Sequence, residues 1–456
     1  MGTAETTKVA LLGFGTIGAG VARLLIEQNA RITRRVGRPV TLARIVDTDL
    51  VRDRGIAVPE GVLTDDIESV ISDPGISVAI ELIGGIEPAR TFILRLLEAG
   101  KDVVTANKAL LATHGPELFA AARTHGRTIA FEAAVGGGIP IIAGIGQTLT
   151  ANRIRSIRGI LNGTCNYILS AMAERDASYA DALAEAQRLG YAEANPFMDV
   201  SASDATQKLA ILSQLAFGAT IDWTTIPRVG IDSVDVADIR CARELGYTIR
   251  LIASARQHDD GLELLVAPTL LRRGTPLAHI SEAFNAVQIV GDAVGPVLFH
   301  GKGAGQMPTA SAVVADLIDT LLGRTRLTFD ALNLWNNNEG GRQGLDDPEM
   351  PATLRPAEHS TGRFYLRFQV EDRPGVLSQI TTILGESEIS VASVIQREVP
   401  EKDMAPATAA GENAVTVPLI VMTHAANVAA VEAAISRINS LECVGENCIA
   451  MRVMDE

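Results

Sequence analysis

Residues 188–212, RLGYAEANPFMDVSASDATQKLAIL, hold the densest set of groups able to do chemistry. Glu193, Asn195 and Asp199 sit on a loop, and Asp204 and Lys208 follow at i,i+4 spacing on the start of an apolar run. That offset puts a carboxylate and an ammonium on one face of a helix. An exposed pair of this kind is worth only about 0.2–0.5 kcal/mol and needs no functional explanation. This pair follows an acidic loop, and its lysine is set among Ala205, Leu209, Ala210 and Leu212. A lysine at the edge of an apolar seam can keep its stem packed and deliver its ammonium to a cleft. Such an ammonium can stabilise or protonate an oxygen that is gaining negative charge.

A second group of residues lies near the N-terminus. Residues 8–18, KVALLGFGTIG, read as an apolar strand running into G-F-G-T-I-G, formed by Gly13, Phe14, Gly15, Thr16, Ile17 and Gly18. The first glycine allows a tight turn, the second lets the backbone approach a pyrophosphate, and the third permits close packing of the helix that follows. The next strand ends at Asp47, an acceptor for ribose hydroxyls that disfavours a 2'-phosphate, although Arg44 and Arg52 nearby leave NADP open. Gly84 and Gly85 follow a third strand, and Thr105, Asn107 and Lys108 stand where a parallel strand delivers groups to the crevice. Glu132, followed by Gly136, Gly137 and Gly138, reads either as a hinge or as a loop whose carbonyls and carboxylate could meet a hard cation. Gly303 and Gly305 precede a long apolar helix that either returns to the cofactor or only supports docking.

The elements needed to position these residues imply several domains in a chain of 456 residues. Strand–helix alternation makes residues 1–135 a Rossmann-type dinucleotide-binding domain, with 303–325 returning to pack on it. Residues 136–302 read as an α+β substrate and oligomerisation domain, 326–362 as a linker, and EKDMAPATAAGENA as an exposed connection between two strands of the C-terminal module. Residues 363–452 have β-α-β-β-α-β order, the pattern of a ferredoxin-like module. A formal charge of −14 argues against a general nucleic-acid footprint. No apolar run suits a membrane span, and the start of the chain lacks the order of a secretion signal. The four cysteines, Cys165, Cys241, Cys443 and Cys448, have no metal-site spacing, which points to reduced thiols in a cytoplasmic protein.

Taken in order, GFGTIGAGV, ELIGGIEPA, TANKALLA, EAAVGGGIP, LNGTCNYIL, GYAEANPFMDVSASDATQKLAIL and GKGAGQMPTASAVVADL make a chain that closely resembles homoserine dehydrogenase, in its long form with a C-terminal ACT-type regulatory domain. No aspartokinase-like segment precedes them, so the resemblance is to a monofunctional enzyme. It implies reversible conversion of L-homoserine and L-aspartate-4-semialdehyde with NAD or NADP. It also implies that Lys108 and Lys208 stand near the substrate oxygen with Lys208 as proton donor, that Glu193 contacts the substrate amine, and that Asp199 and Asp204 belong to the same site. The resemblance further implies a sodium ion held by the Glu132 side chain and the carbonyls of Val135, Gly137 and Ile139. L-threonine as effector near Asp372 and Gly375, and a homodimer or homotetramer, complete what it implies. Two other readings remain: a phosphorylating aldehyde dehydrogenase with Cys165 as nucleophile, and an amino-acid sensor that keeps a cofactor scaffold.

Overall fold

The computed structural model describes residues 6–332, 334–335, 354–356, 359–396 and 416–455. Its first sheet is built from β1 (Thr7–Leu12), β2 (Val40–Val46), β3 (Leu63–Thr64), β4 (Ile76–Glu81), β5 (Asp102–Thr105) and β6 (Ile129–Ala130). The strand order is β3-β2-β1-β4-β5-β6, with every pairing parallel. Val9, Ala10, Leu11 and Leu12 are all fully buried, as a strand covered by helices on both faces requires. The order reverses between β1 and β4, which opens the crevice where this architecture takes a dinucleotide. The helix Gln306–Leu321 closes the unit from far along the chain. Its Ala310, Val313 and Leu317 share a core with Leu11, Phe14 and Val21, and a Cβ on Gly20 would lie 3.0 Å from that of Ala310.

Among the described residues the second sheet has ten strands. β7 (Ile154–Ile160), β8 (Tyr247–His258), β9 (Gly261–Arg272), β10 (Phe284–Gly291) and β11 (Gly295–Lys302) form its catalytic part. The C-terminal part comprises β12 (Thr361–Glu371), β13 (Val391–Gln396), β14 (Thr416–Thr423), the short β15 (Ala426–Asn427) and β16 (Val444–Met454). The order β16-β12-β14-β13 is that of a ferredoxin-like module. The two parts are continuous because β16 pairs in parallel with β9 through Arg452↔Thr269, Val453↔Leu270 and Met454↔Leu271. The stretch read as a linker opens as a helix, Arg324–Leu332, and EKDMAPATAAGENA lies outside the described residues.

Alternation along β12 sorts its side chains between two cores. Phe364, Leu366, Phe368 and Val370 pack under the helices Val376–Glu386 and Val428–Asn439. Tyr365, on the opposite face, joins the core beneath the catalytic helices. There the helix Val236–Glu244 presents Asp238, which is fully buried. Its Oδ1 accepts from Tyr365 Oη at 2.8 Å and Arg367 Nε at 2.6 Å, and its Oδ2 accepts from Arg367 Nη2 at 3.0 Å. A bidentate guanidinium and a phenol thus satisfy one carboxylate across the joint between the catalytic and C-terminal parts.

Arg367→Met would leave that carboxylate buried without its cationic partner, held by the Tyr365 hydroxyl and the Asp235 N–H alone, at a cost of about 3–5 kcal/mol. Arg437→Ala, which removes the exposed pair with Glu386, would cost less than about 1 kcal/mol. Urea unfolding followed by circular dichroism measures both, and equal losses would contradict the structural weight given to Asp238.

Candidate active site

The helix Ser203–Phe217 is buried along its whole length and carries Asp204 in its first turn and Lys208 one turn later. The chain enters it through Ala202, which holds a left-handed φ of 66°. Lys208 Nζ donates to Asp204 Oδ2 at 2.8 Å and to the Leu161 carbonyl at 2.7 Å. From the nucleotide-binding domain, Lys108 Nζ lies 3.0 Å from the other oxygen, Asp204 Oδ1. The i,i+4 pair is therefore not a surface pair. One carboxylate holds two lysines that are distant in sequence.

Lys108 is aimed by the ends of β4 and β5. Glu81, fully buried, accepts from Thr105 Oγ1 at 2.6 Å and from the backbone N–H groups of Ile83 and Gly84. Thr105 Oγ1 in turn accepts from Asn107 N, and Asn107 caps the helix Lys108–Thr124 through Leu110 N while its amide donates to Gly85 O. Thr105, expected at the cofactor, thus has its hydroxyl tied to Glu81 and shapes the turn that presents Lys108. Gly84, at φ 80°, has open space where a side chain would be.

Asn162, which sequence reasoning passed over, sits between the acidic groups. Its Nδ2 donates to Asp199 Oδ1 at 2.7 Å and Asp204 Oδ2 at 2.9 Å, and its Oδ1 caps the helix Gly163–Arg175 by accepting from Cys165 N. The asparagine before a helical pattern was a legible cap; its second allegiance was not. Glu193 is exposed on the neighbouring loop and contributes to the field at Lys108.

These charges support one another. Burial alone would push Asp204 up, but Lys208, Lys108 and Asn162 hold it well below the usual carboxylate range. Asp204 raises Lys108 above the ordinary lysine value, against the opposing effect of burial, with Asp199 and Glu193 adding to it. For Lys108 the carboxylates therefore outweigh the lowering that burial or lysine–lysine repulsion would give. Burial pushes Asp199 up, helped by Asp204 and opposed by the Asn162 amide. Cys165 is fully buried, its Sγ 3.2 Å from Asp199 O, and burial with Asp199 and Asp204 pushes its thiol well up. A thiol held in its protonated form is a poor nucleophile, which weighs against acyl transfer through Cys165.

The crevice of the first sheet suits a dinucleotide. A Cβ on Gly13 would lie 2.6 Å from the Leu82 carbonyl, and one on Gly18 would lie 2.1 Å from Gly13 O, so this turn admits only glycine at both places. Among the described residues, no atom comes within 4 Å of the position above Gly15, and no side chain caps the helix Thr16–Glu27 that begins there. Its N-terminus is thus open to a pyrophosphate. Thr16 is exposed and Ile17 half-buried beside it, whereas the Phe14 ring is buried. Asp47 Oδ2 accepts from Phe14 N at 2.5 Å. Arg54 stacks on the Phe14 ring, donates to Phe14 O and lies 3.4 Å from Asp47; Arg44, by contrast, turns back to Ala43 O. Gly305 starts the returning helix, and the next residue, Gln306, donates to Thr16 O at 3.0 Å.

Glu132 is buried, and each of its carboxylate oxygens accepts one backbone N–H, from Ile142 and Ala143. Burial pushes its carboxyl up to about 7 against the opposing N–H groups of Ala143, Ile142 and Ile141. Gly137 turns with φ 54° against Gly303, where a Cβ would lie 2.4 Å from the Gly303 carbonyl. Ile139 O accepts from Ile141 N, and no hydrogen bond reaches Val135 O or Gly137 O among the described residues. Within those residues no three His, Cys, Asp or Glu side chains cluster as a metal site would require, so any cation here would rely on one carboxylate and backbone carbonyls. In the C-terminal module, Gly375 has φ 90° with open space beside it among the described residues, and Asp372 accepts from Gln396.

Comparisons with known proteins cover all three parts. The family described as "Homoserine dehydrogenase, NAD binding domain" matches residues 13–132, "Homoserine dehydrogenase" matches 140–318, and "ACT domain" matches 364–443. The homoserine dehydrogenase of Pseudomonas aeruginosa is 42% identical over 98% of this chain and 99% of its own length. The crystal structure of a homoserine dehydrogenase from Thiobacillus denitrificans superposes with a TM-score of 0.86 at 41% identity, covering 99% of this chain and 98% of that one. A hyperthermophilic archaeal homoserine dehydrogenase in complex with NADPH superposes with a TM-score of 0.59 at 25% identity, covering 70% of this chain and 98% of that one.

Proposed function

We propose how the residues divide the work in this chain, which belongs to the homoserine dehydrogenase family and is an NAD(P)-dependent oxidoreductase. Its reaction interconverts L-homoserine and L-aspartate-4-semialdehyde, running toward homoserine in biosynthesis. Bound NAD(P) supplies the hydride chemistry. The observation that carries the assignment is the meeting of Lys108 and Lys208 on the two oxygens of Asp204. Lys208 directs two N–H groups to Leu161 O and Asp204, which leaves a third for the substrate oxygen. It donates the proton that makes the aldehyde oxygen a hydroxyl, and in the oxidative direction neutral Lys208 takes that proton back. Lys108, whose side chain is 38% exposed, points a second positive charge at the same oxygen and stabilises its developing negative charge. Glu193 and Asp199 receive the substrate ammonium.

The preference between NAD and NADP rests on Asp47 and Arg54: the carboxylate suits ribose hydroxyls and the guanidinium suits a 2'-phosphate. Lys208→Ala is expected to lower turnover by about 10²–10⁴-fold. NADPH affinity, read by its fluorescence, would change little. Wild-type turnover in this variant would remove Lys208 from the proton step.

A sodium ion fits Glu132 together with the carbonyls of Val135, Gly137 and Ile139, since each Glu132 oxygen keeps a lone pair and a cation would offset the burial of its charge. Replacing sodium by choline at constant ionic strength is expected to lower the melting temperature of the wild type and leave Glu132→Gln unmoved. Equal curves in both proteins would discard the ion.

L-Threonine is the proposed effector, held near Asp372 and Gly375 where the helix Val376–Glu386 begins without a side-chain cap. A homodimer or homotetramer and a cytoplasmic setting complete the proposal; Cys165, Cys443 and Cys448 are free thiols, which suits a reducing compartment. Calorimetry and assays across threonine concentrations, with sedimentation at the same protein concentrations, test this. Absence of both binding and inhibition would reject the effector, and a monomer throughout would reject the oligomer.

A further inference from the structure

The Leu161–Asn162 segment grips the Lys208–Asp204 pair from both ends. The Leu161 carbonyl takes one N–H of Lys208 at 2.7 Å, and Asn162 Nδ2 reaches Asp204 Oδ2 at 2.9 Å. The same Nδ2 reaches Asp199 Oδ1 at 2.7 Å, so its two hydrogens go to two carboxylates from different segments. Asn162 Oδ1 is engaged by Cys165 N at 2.8 Å. This fixes which way the amide faces, because the reverse orientation would lose the helix cap and set an oxygen against two anions. The residue is 4% exposed. A helix cap alone would need only Oδ1, and Ser or Asp would serve as well. The two donors aimed at Asp199 and Asp204 are left for another task.

We propose that Asn162 is a positioning residue: its carboxamide keeps Asp199 and Asp204 ionised side by side and turns Asp204 so that one oxygen takes Lys108 and the other Lys208. The inference rests on the reading that these two lysines act at the substrate oxygen. Two adjacent carboxylates in a buried site tend to share a proton unless donors separate them. Here the separating groups are the Asn162 amide between them, Lys208 on the same helix as Asp204, and Lys108 from the facing helix. Glu193 on the loop adds negative charge, and the buried thiol of Cys165 faces Asp199 O. Without the amide, Asp204 Oδ2 keeps only the mobile Lys208 ammonium as donor, its rotation loosens, and the third N–H of Lys208 loses its aim. A misplacement of this kind acts on turnover more than on cofactor binding.

The test compares Asn162→Ser, Asn162→Asp and Lys208→Ala with wild type in the reduction of L-aspartate-4-semialdehyde across pH, the direction in which Lys208 starts protonated. Serine and aspartate both keep a cap for Cys165 N, so the helix Gly163–Arg175 is retained. In Asn162→Ser, turnover is expected to fall roughly 100-fold, with the KM for NADPH little changed. Asp204 stays charged through its two lysines, whereas Asp199 loses the amide that opposes its burial, so the acid limb of kcat/KM should move up by about one pH unit. Asn162→Asp places a third carboxylate against the other two and should move that limb further upward. It reads the same limb if the serine variant folds poorly. Unmoved acid limbs in both variants, or a loss confined to melting temperature or NADPH affinity, would overturn the positioning role. Lys208→Ala separates the two failures. If it is inactive while the Asn162 variants match wild type in rate and pH profile, only the role of Asn162 falls. If it turns over normally, the reading of the lysines falls.

Discussion

One buried carboxylate, Asp204, governs how the two catalytic domains meet. Removing a carboxylate from water costs several kcal/mol, and only well-placed partners repay it. Asp204 has three, and each comes from a different part of the chain: Lys208 from its own helix, Asn162 from the segment after β7, and Lys108 from the nucleotide-binding domain. The rest of the site follows from this need. The helix Ser203–Phe217 is buried throughout, and the left-handed Ala202 sets its first turn where the carboxylate must stand. Glu81, Thr105 and Asn107 fix the start of another helix so that Lys108 arrives at the opposite oxygen.

The same arrangement accounts for the division of chemistry. A carboxylate held well down keeps its charge over the pH range where enzymes work, and it keeps Lys108 protonated in turn. Lysine is suited to this duty because its compact ammonium can address a carboxylate, a carbonyl and a substrate atom at once. Burial, helped by Asp199 and Asp204, suppresses the thiolate of Cys165, so the environment that favours proton transfer to oxygen disfavours covalent catalysis nearby.

What was legible in the sequence was what local rules control. The glycine turn between β1 and its helix is written in residues 13–18, because close backbone approach leaves no alternative to glycine at Gly13 and Gly18. The i,i+4 spacing of Asp204 and Lys208 fixed their common face. It could not distinguish a solvated pair from a buried one, because that depends on Lys108, a hundred residues earlier in the chain by order of magnitude. Asn162 was readable as a cap and opaque as a bridge, since its Nδ2 contacts arise only after two further segments fold over it. Arg54 was hidden for a similar reason: Arg44 and Arg52 stand nearer Asp47 in sequence, yet chain direction turns Arg44 back on its own strand. The pairing of Asp238 with Tyr365 and Arg367 left no local signature, because burial and long-range docking create it.

The parallel junction of β9 with β16 also bears on how the chain matures during synthesis. β9 leaves the ribosome long before β16, and until then its outer backbone groups at Thr269, Leu270 and Leu271 form an open strand edge. Such edges invite pairing with another chain, so the catalytic part passes through an interval of exposure that ends only when the last strand arrives. The C-terminal module therefore has a task that precedes any ligand. It acts as a built-in guard on the nascent sheet, and a chain interrupted before β16 would emerge with its catalytic residues present and its sheet unsealed.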